Sequence, residues 1–264
     1  MPQVIRELFE TEFCRRLGCP HAVAVNSGTS ALVGALSSLG LAGGEVITTS
    51  FTFVSTANAI LLAGGRPVFV DIRDDNHLLD EGLIEAAITD RTRAILPVHL
   101  FGRVCAMDAI CEIATQHGLA VVEDTAQALG ATYQGRYAGT FGDLGCFSFY
   151  KTKNLSTFEG GMITVNRGDA RKVRCHVDPI VNRLAGFPAV GHNFRMPEPC
   201  ALIGYEKLKL HWDQALTELG RFREQDGFYP YVVYQTAAFR RLGITGHCPV
   251  TEQVATEIAR CHAS

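Results

Sequence analysis

Leu119-Ala120-Val121-Val122-Glu123-Asp124-Thr125-Ala126-Gln127 is the stretch on which the fold turns. Its apolar run shows no polar alternation and ends on two carboxylates, the pattern of a strand buried on both faces. Comparable runs predict strands over Ala22–Val25, Glu45–Thr48, Arg66–Asp71, Ala94–Val98, Ala120–Glu123, Gly145–Phe149 and Met162–Val165. Helical spacing occupies Thr29–Leu39, Val54–Ala63 and Met107–His117 between them. Strands separated by helices predict an α/β fold with a mainly parallel sheet. Ligands of open α/β sheets bind beyond the carboxyl ends of the strands, which is where Asp124 falls. There Asp124 could hold a cation such as a protonated pyridine nitrogen or a magnesium ion. The plainer reading is a helix cap, with Gln127 at the matching third position.

Composition agrees with that fold and narrows the rest. At 264 residues the chain suits one large α/β domain, alone or with a small appendage. Hydrophobic residues at 47% and charged residues at 19% exclude disorder as the dominant state. A net charge of −3 supplies no basic field and argues against general nucleic-acid binding. The first ten residues lack a signal-peptide core, and no apolar run approaches a membrane span. The nine cysteines include no C-x-x-C pair, so they read as reduced, buried thiols of a cytoplasmic protein rather than a zinc site or disulfide framework. After about Arg167 the pattern changes. His211–Arg223 reads as an exposed helix bearing Trp212, and Phe228–Ser264 holds too few strand or helix signals for a second full domain. Tyr229, Tyr231 and Tyr234 are expected to pack this stub on the main body. His99 reads as a strand-end residue with a structural hydrogen bond near the site, and His192 takes the same plain reading.

Two further stretches carry chemistry. Asn26-Ser27-Gly28-Thr29-Ser30-Ala31-Leu32 follows a strand and opens a helix, so its backbone N–H groups suit a phosphate, with the Thr29 and Ser30 hydroxyls as extra donors. An ordinary N-cap fits the same residues. Phe147-Ser148-Phe149-Tyr150-Lys151-Thr152-Lys153 places two lysines beyond a strand end in apolar surroundings. Such a lysine can have its pKa lowered enough to form a Schiff base, although most loop lysines are merely solvated. Taken together, a phosphate cradle, a strand-end carboxylate and a lysine 29 residues beyond it are the three anchors that pyridoxal 5'-phosphate needs. Phe53, in the loop after a strand, is placed to stack on the ring.

From Phe9 to about Leu208 the chain resembles the DegT/StrS sugar aminotransferases, which are fold-type-I pyridoxal-phosphate enzymes. The resemblance is carried by Asn26-Ser-Gly-Thr-Ser-Ala-Leu32, Thr52-Phe-Val54, Pro67-Val-Phe-Val-Asp71, Pro97-Val-His-Leu-Phe-Gly102 and Glu123-Asp-Thr-Ala-Gln-Ala128. It continues through Gly139-Thr-Phe-Gly-Asp143, Phe147-Ser-Phe-Tyr-Lys-Thr-Lys153, Glu159-Gly-Gly161 and Asn193-Phe-Arg-Met196. It implies a mainly parallel seven-stranded sheet with helices on both faces and a reduced C-terminal α/β portion. The corresponding division is a cofactor-binding large domain over 1–208 and a shortened C-terminal segment over 209–264. Lys153, rather than Lys151, matches the Schiff-base lysine that also shuttles protons, and Asp124 matches the partner of the pyridine nitrogen. Gln127 matches a residue close to the ring, Gly28, Thr29 and Ser148 match phosphate contacts, and Phe53 matches the stacking aromatic. Asn193 matches an asparagine that reaches the neighbouring subunit's cofactor, which implies a homodimer with shared sites. The activity implied is ping-pong transfer of an amino group from glutamate or glutamine to a nucleotide-linked keto sugar or a keto-cyclitol.

Two features depart from the family pattern. Phe158 stands where glycine is common, before Glu159-Gly160-Gly161. The arm expected before Phe9 and most of the C-terminal domain are not matched, and Cys248–Ala255 follows Tyr231–Arg241 as if an internal block were deleted. Two alternatives accompany the aminotransferase reading. One is a pyridoxal-phosphate enzyme of another class, such as a dehydratase, although sugar 3-dehydratase relatives replace the lysine with histidine. The other is a non-catalytic relative.

Overall fold

A computed structural model describes residues 5–217 and 229–263. In chain order they form α1 (Ile5–Leu17), β1 (His21–Val25), α2 (Gly28–Leu39), β2 (Glu45–Thr49), α3 (Val54–Leu62), β3 (Arg66–Val70), β4 (Thr92–Leu96), α4 (Met107–His117) and β5 (Ala120–Asp124). A short hairpin of β6 (Thr132–Tyr133) and β7 (Arg136–Tyr137) leads to β8 (Leu144–Ser148) and β9 (Gly161–Val165). The helices α5 (Ala170–Val177), α6 (Pro179–Leu184), α7 (Glu198–Thr217), α8 (Ala237–Arg241) and α9 (Pro249–Ala263) follow. All seven strands expected from the sequence are present, with ends moved by one or two residues.

Seven strands make one sheet in the order β1-β9-β8-β5-β4-β2-β3. Only β9 runs against the rest, since it pairs antiparallel with both β1 and β8 while the other neighbours are parallel. Side chains alternate across each strand and so feed two cores. Val23, Leu96, Val122, Cys146 and Ile163 face α2, α3 and α5. On the opposite face Ala22, Phe147 and Met162 meet α1 and α7, and Ile47, Ile95 and Val121 meet α4. Helices therefore cover both faces, as expected.

Two buried carboxylates tie distant segments together. Glu10 of α1 accepts the Ala24 amide at 2.8 Å and both Arg174 guanidinium nitrogens, at 3.1 and 2.6 Å. Asp71, just past β3, accepts the Val250 and Thr251 amides and the Thr251 hydroxyl, all within 2.9 Å. It thereby caps α9, a helix some 180 residues further along the chain.

The second half corrects several expectations. The helix anticipated at His211–Arg223 begins earlier, at Glu198, and deviates from helical geometry at His211, while residues 218–223 lie outside the described part. Trp212 is buried rather than exposed, edge-on to Tyr137. The resemblance implies a reduced α/β portion over 209–264, whereas its described residues, 209–217 and 229–263, hold helices and no strand. The sequence does carry a helix signal at α9, where Val250, Val254, Ala255 and Ile258 recur at helical spacing, but its cap sits on another element. The described cysteines are free thiols, and no described helix is long and apolar enough to cross a membrane.

Candidate active site

One cleft of about 590 Å³ opens at the carboxyl ends of the parallel strands, the position that an open α/β sheet reserves for ligands. Most of its lining comes from strand-following turns, so the sheet fixes the backbone there and the loops aim the side chains. β1 delivers the start of α2, where Ser27 is the N-cap and its hydroxyl accepts the Ser30 amide at 3.1 Å. Gly28 follows without a side chain for a steric reason. A Cβ there would stand 2.7 Å from Cβ and 3.0 Å from Oγ of Ser148. Its absence lets the helix terminus and the Ser148 hydroxyl face one volume, a concave set of donors suited to an anion. The Thr29 hydroxyl points to Ser55 Oγ at 3.0 Å.

Asp124 ends β5 in the cleft floor. It is only 5% exposed, and it does not cap a helix as the plainer reading had it, because a turn follows. Its Oδ1 accepts the Ala126 amide at 3.1 Å, and its Oδ2 accepts the Thr56 hydroxyl at 2.8 Å. Burial pushes its carboxyl above the ordinary aspartate value, while Thr56, Ala126 and the charge of Lys153 hold it back. Lys153 stands in the turn after β8, where its amide donates to the Tyr150 carbonyl at 2.9 Å. Burial pulls its ammonium below the ordinary lysine value, with Asp124 opposing. Lysine and carboxylate thus face each other electrostatically across a mostly apolar cleft. Lys151, the rival lysine, is exposed, and it does not line the cleft.

The remaining expected residues divide. Gln127 lines the cleft with its Oε1 accepting the Phe101 amide at 3.3 Å and its Nε2 donating to the Tyr229 hydroxyl. Phe53 lies at the mouth, 56% exposed, as a flat apolar wall. Asn193 is exposed and does not line this cleft. It stands one residue before Phe194, whose carbonyl accepts the Asn26 amide at 2.8 Å, and His192 stacks on the Phe194 ring.

Five residues of the site are signalled weakly or not at all by the sequence. Tyr229 and Tyr231 line the cleft rather than only packing the C-terminal segment, and Tyr229 meets Phe51 edge-on. Tyr234 does pack the segment, against Phe69. Thr56 and Thr52 line the cleft beside Asp124, with their hydroxyls 2.8 Å apart. Glu123, next to Asp124 but on the opposite side of β5, takes the amides of Gly139, Phe141 and Gly142 within 2.8 Å. Its Oε2 also meets His99 Nε2 at 3.0 Å, while the Cys105 amide donates to His99 Nδ1 at 3.2 Å. An acceptor at Nδ1 leaves the proton on Nε2, so this histidine is a fixed strut at the cleft's edge. Alternation along β5 was the available signal for Glu123, while nothing in local sequence pairs Tyr229 with Gln127. Among the described residues no cluster of three or more His, Cys, Asp or Glu could hold a metal ion.

Fold and cleft together define an α/β protein with a cofactor-sized, polar-floored site at the carboxyl ends of its strands. Residues 5–218 match the DegT/DnrJ/EryC1/StrS aminotransferase family, and the chain belongs to it. It is 46% identical over 207 residues to a GDP-perosamine synthase of Caulobacter vibrioides, covering 76% of this chain and 55% of that one. It is 45% identical over 208 residues to a dTDP-3-amino-3,4,6-trideoxy-alpha-D-glucose transaminase of Micromonospora megalomicea, with 76% and 55% covered. The chain spans about half the length of the curated relatives it matches. Its structure is similar to that of an aminotransferase from Psychrobacter cryohalolentis, with a TM-score of 0.83 and 28% identity, over 95% of this chain and 84% of that one.

Proposed function

We propose that this chain acts as a pyridoxal-phosphate-dependent aminotransferase that moves an amino group from glutamate or glutamine to a keto sugar, nucleotide-linked, or to a keto-cyclitol. The observation that carries the reading is the meeting of Lys153 and Asp124 in one cleft beside the Gly28–Ser148 cradle. The donor set fits the cofactor. The close approach of Gly28 to Ser148 at the start of α2 suits a phosphate, and buried Asp124 suits a protonated ring nitrogen. Phe53 supplies a flat apolar face of the size of the ring.

Bound there, pyridoxal phosphate supplies an electron sink and a carrier for the amino group. Asp124 keeps a proton on the ring nitrogen by remaining an anion. Gly28, Thr29 and Ser148 hold the phosphate, and Gln127 borders the ring. Lys153 takes the proton from the donor carbon and returns one to the acceptor side; its lowered affinity for protons leaves more of it as free amine at neutral pH. Tyr229 and Tyr231 exclude water from one side of the cleft. Asn193, exposed outside its own chain's cleft, reaches a second copy's cofactor in a homodimer with shared sites.

The test is the donor half-reaction, followed by absorbance. Purified protein with pyridoxal phosphate shows an absorbance band that L-glutamate converts to the pyridoxamine form, and borohydride fixes the cofactor on Lys153. Peptide mapping to Lys151, or a bound cofactor that no amino acid converts, overturns the proposal.

A further inference from the structure

Asp124 is held by a two-step chain of hydroxyls. The Thr52 and Thr56 oxygens stand 2.8 Å apart, and the Thr56 oxygen is 2.8 Å from Asp124 Oδ2. Thr52 and Thr56 line the cleft yet are each only 1% exposed, so their hydroxyls are committed to each other and to Asp124 rather than to bulk water. Direction follows from counting protons. Thr56 has one, and if it is spent on Asp124 then Thr52 must donate to Thr56. A threonine within a helix often bonds back to the carbonyl four residues earlier. At Thr56 the hydroxyl leaves α3 and crosses to the end of β5.

With Ala126 donating to Oδ1 and Thr56 to Oδ2, each carboxylate oxygen accepts one hydrogen bond and retains acceptor capacity for a further donor in the cleft that Asp124 lines. We propose that Thr56, seated by Thr52, is a positioning residue that holds the Asp124 carboxylate as an acceptor-only anion aimed into the cleft. Its value to the ring nitrogen rests on the function proposed above, whereas its grip on Asp124 does not. The titratable groups around Asp124 are Lys153 from the turn after β8, His99 from the end of β4, Cys146 on β8, Glu123 on β5 and Tyr229 from the C-terminal segment. Thr56 is thus an uncharged donor among groups that titrate, and its hold does not change with pH.

The test uses the protein without cofactor. An infrared pH titration follows the Asp124 carboxyl, identified as the band lost in Asp124→Asn. In Thr56→Val the midpoint rises by about one pH unit, because a donor to the anion has gone. Thr56→Ser restores it, and Thr56→Ala serves if the valine variant does not fold. An unchanged midpoint in a folded Thr56→Val or Thr56→Ala variant overturns the proposal. Cofactor titration is the second readout. Thr56→Val weakens pyridoxal-phosphate binding several-fold at neutral pH, and Thr56→Ser recovers it. If the unaltered protein binds no cofactor, the proposed function fails while the infrared titration still decides the role of Thr56.

Discussion

Lys153 and Asp124 pull the stability of the chain against its chemistry. Burial raises the Asp124 carboxyl in the folded chain, so its contribution is intact below the unfolded value near 3.8 and is lost as pH rises through the folded value. The lowered Lys153 works in the opposite sense. Its contribution is intact above the unfolded value of 10.5 and is lost as pH falls through the folded one. At pH 7 both groups therefore weaken the unloaded fold. Removing only one leaves the other without its partner, so the informative variant carries Lys153→Met and Asp124→Asn together. Without cofactor at pH 7 it withstands urea better than the parent by about 1 kcal/mol, as neutral replacements of buried ion pairs often do. On the proposed function, added pyridoxal phosphate reverses that order, since the double variant lacks both residues proposed to hold it. Phe158 is a second residue under tension. It sits at φ 69° with its ring 69% exposed, so it bears the left-handed penalty of a residue with a Cβ and gains little burial in return. Phe158→Gly is expected to raise stability by about 0.5–1 kcal/mol in equilibrium urea unfolding.

Among the elements, α9 depends on a residue far away in sequence. Asp71 satisfies two amides and a hydroxyl at its first turn, and those groups have no helical acceptor of their own. Asp71→Ala should cost about 2 kcal/mol, with hydrogen exchange accelerating over Pro249–Ile258 before the sheet responds. This long-range cap also explains what the sequence could and could not disclose. The seven strands were legible because each is a short, fully buried run whose neighbours in sequence are turns or helices. Asp124 and Gly28 are expected near a site from their positions at strand ends, whereas Lys153 over Lys151 and the Ser148 contact rest on the family resemblance; all four line one cleft. Tyr229, Tyr231 and Thr56 were not legible, since each acts through a partner on another element: Tyr229 through Gln127, Tyr231 through the cleft wall, Thr56 through Asp124. Trp212 was misjudged for a related reason. Charged residues surround it in sequence, and the surface that buries it belongs to α1 and the β6–β7 hairpin.

At the scale of the molecule, Asn193 is the residue whose proposed partner its own chain does not provide. If two copies share their sites, Asn193→Ala weakens cofactor retention while the protein still sediments as a dimer; a monomer with full cofactor affinity would contradict the shared-site reading. The order of the sheet has a further consequence, one that concerns synthesis. Among the described strands β1 is made before the others, yet its one neighbour in the sheet is β9, the one made after them all. As the chain leaves the ribosome, Val23 and Val25 must wait for Gly161–Val165 before their edge is paired. The strands in between have earlier partners, because β2, β3, β4 and β5 can zip in parallel as they emerge. A nascent chain stalled short of β9 thus carries an open apolar strand at its head, the kind of edge that recruits other chains. Completion of one reversed strand converts that hazard into the sheet border from which α2, and with it the Gly28 end of the cleft, is hung.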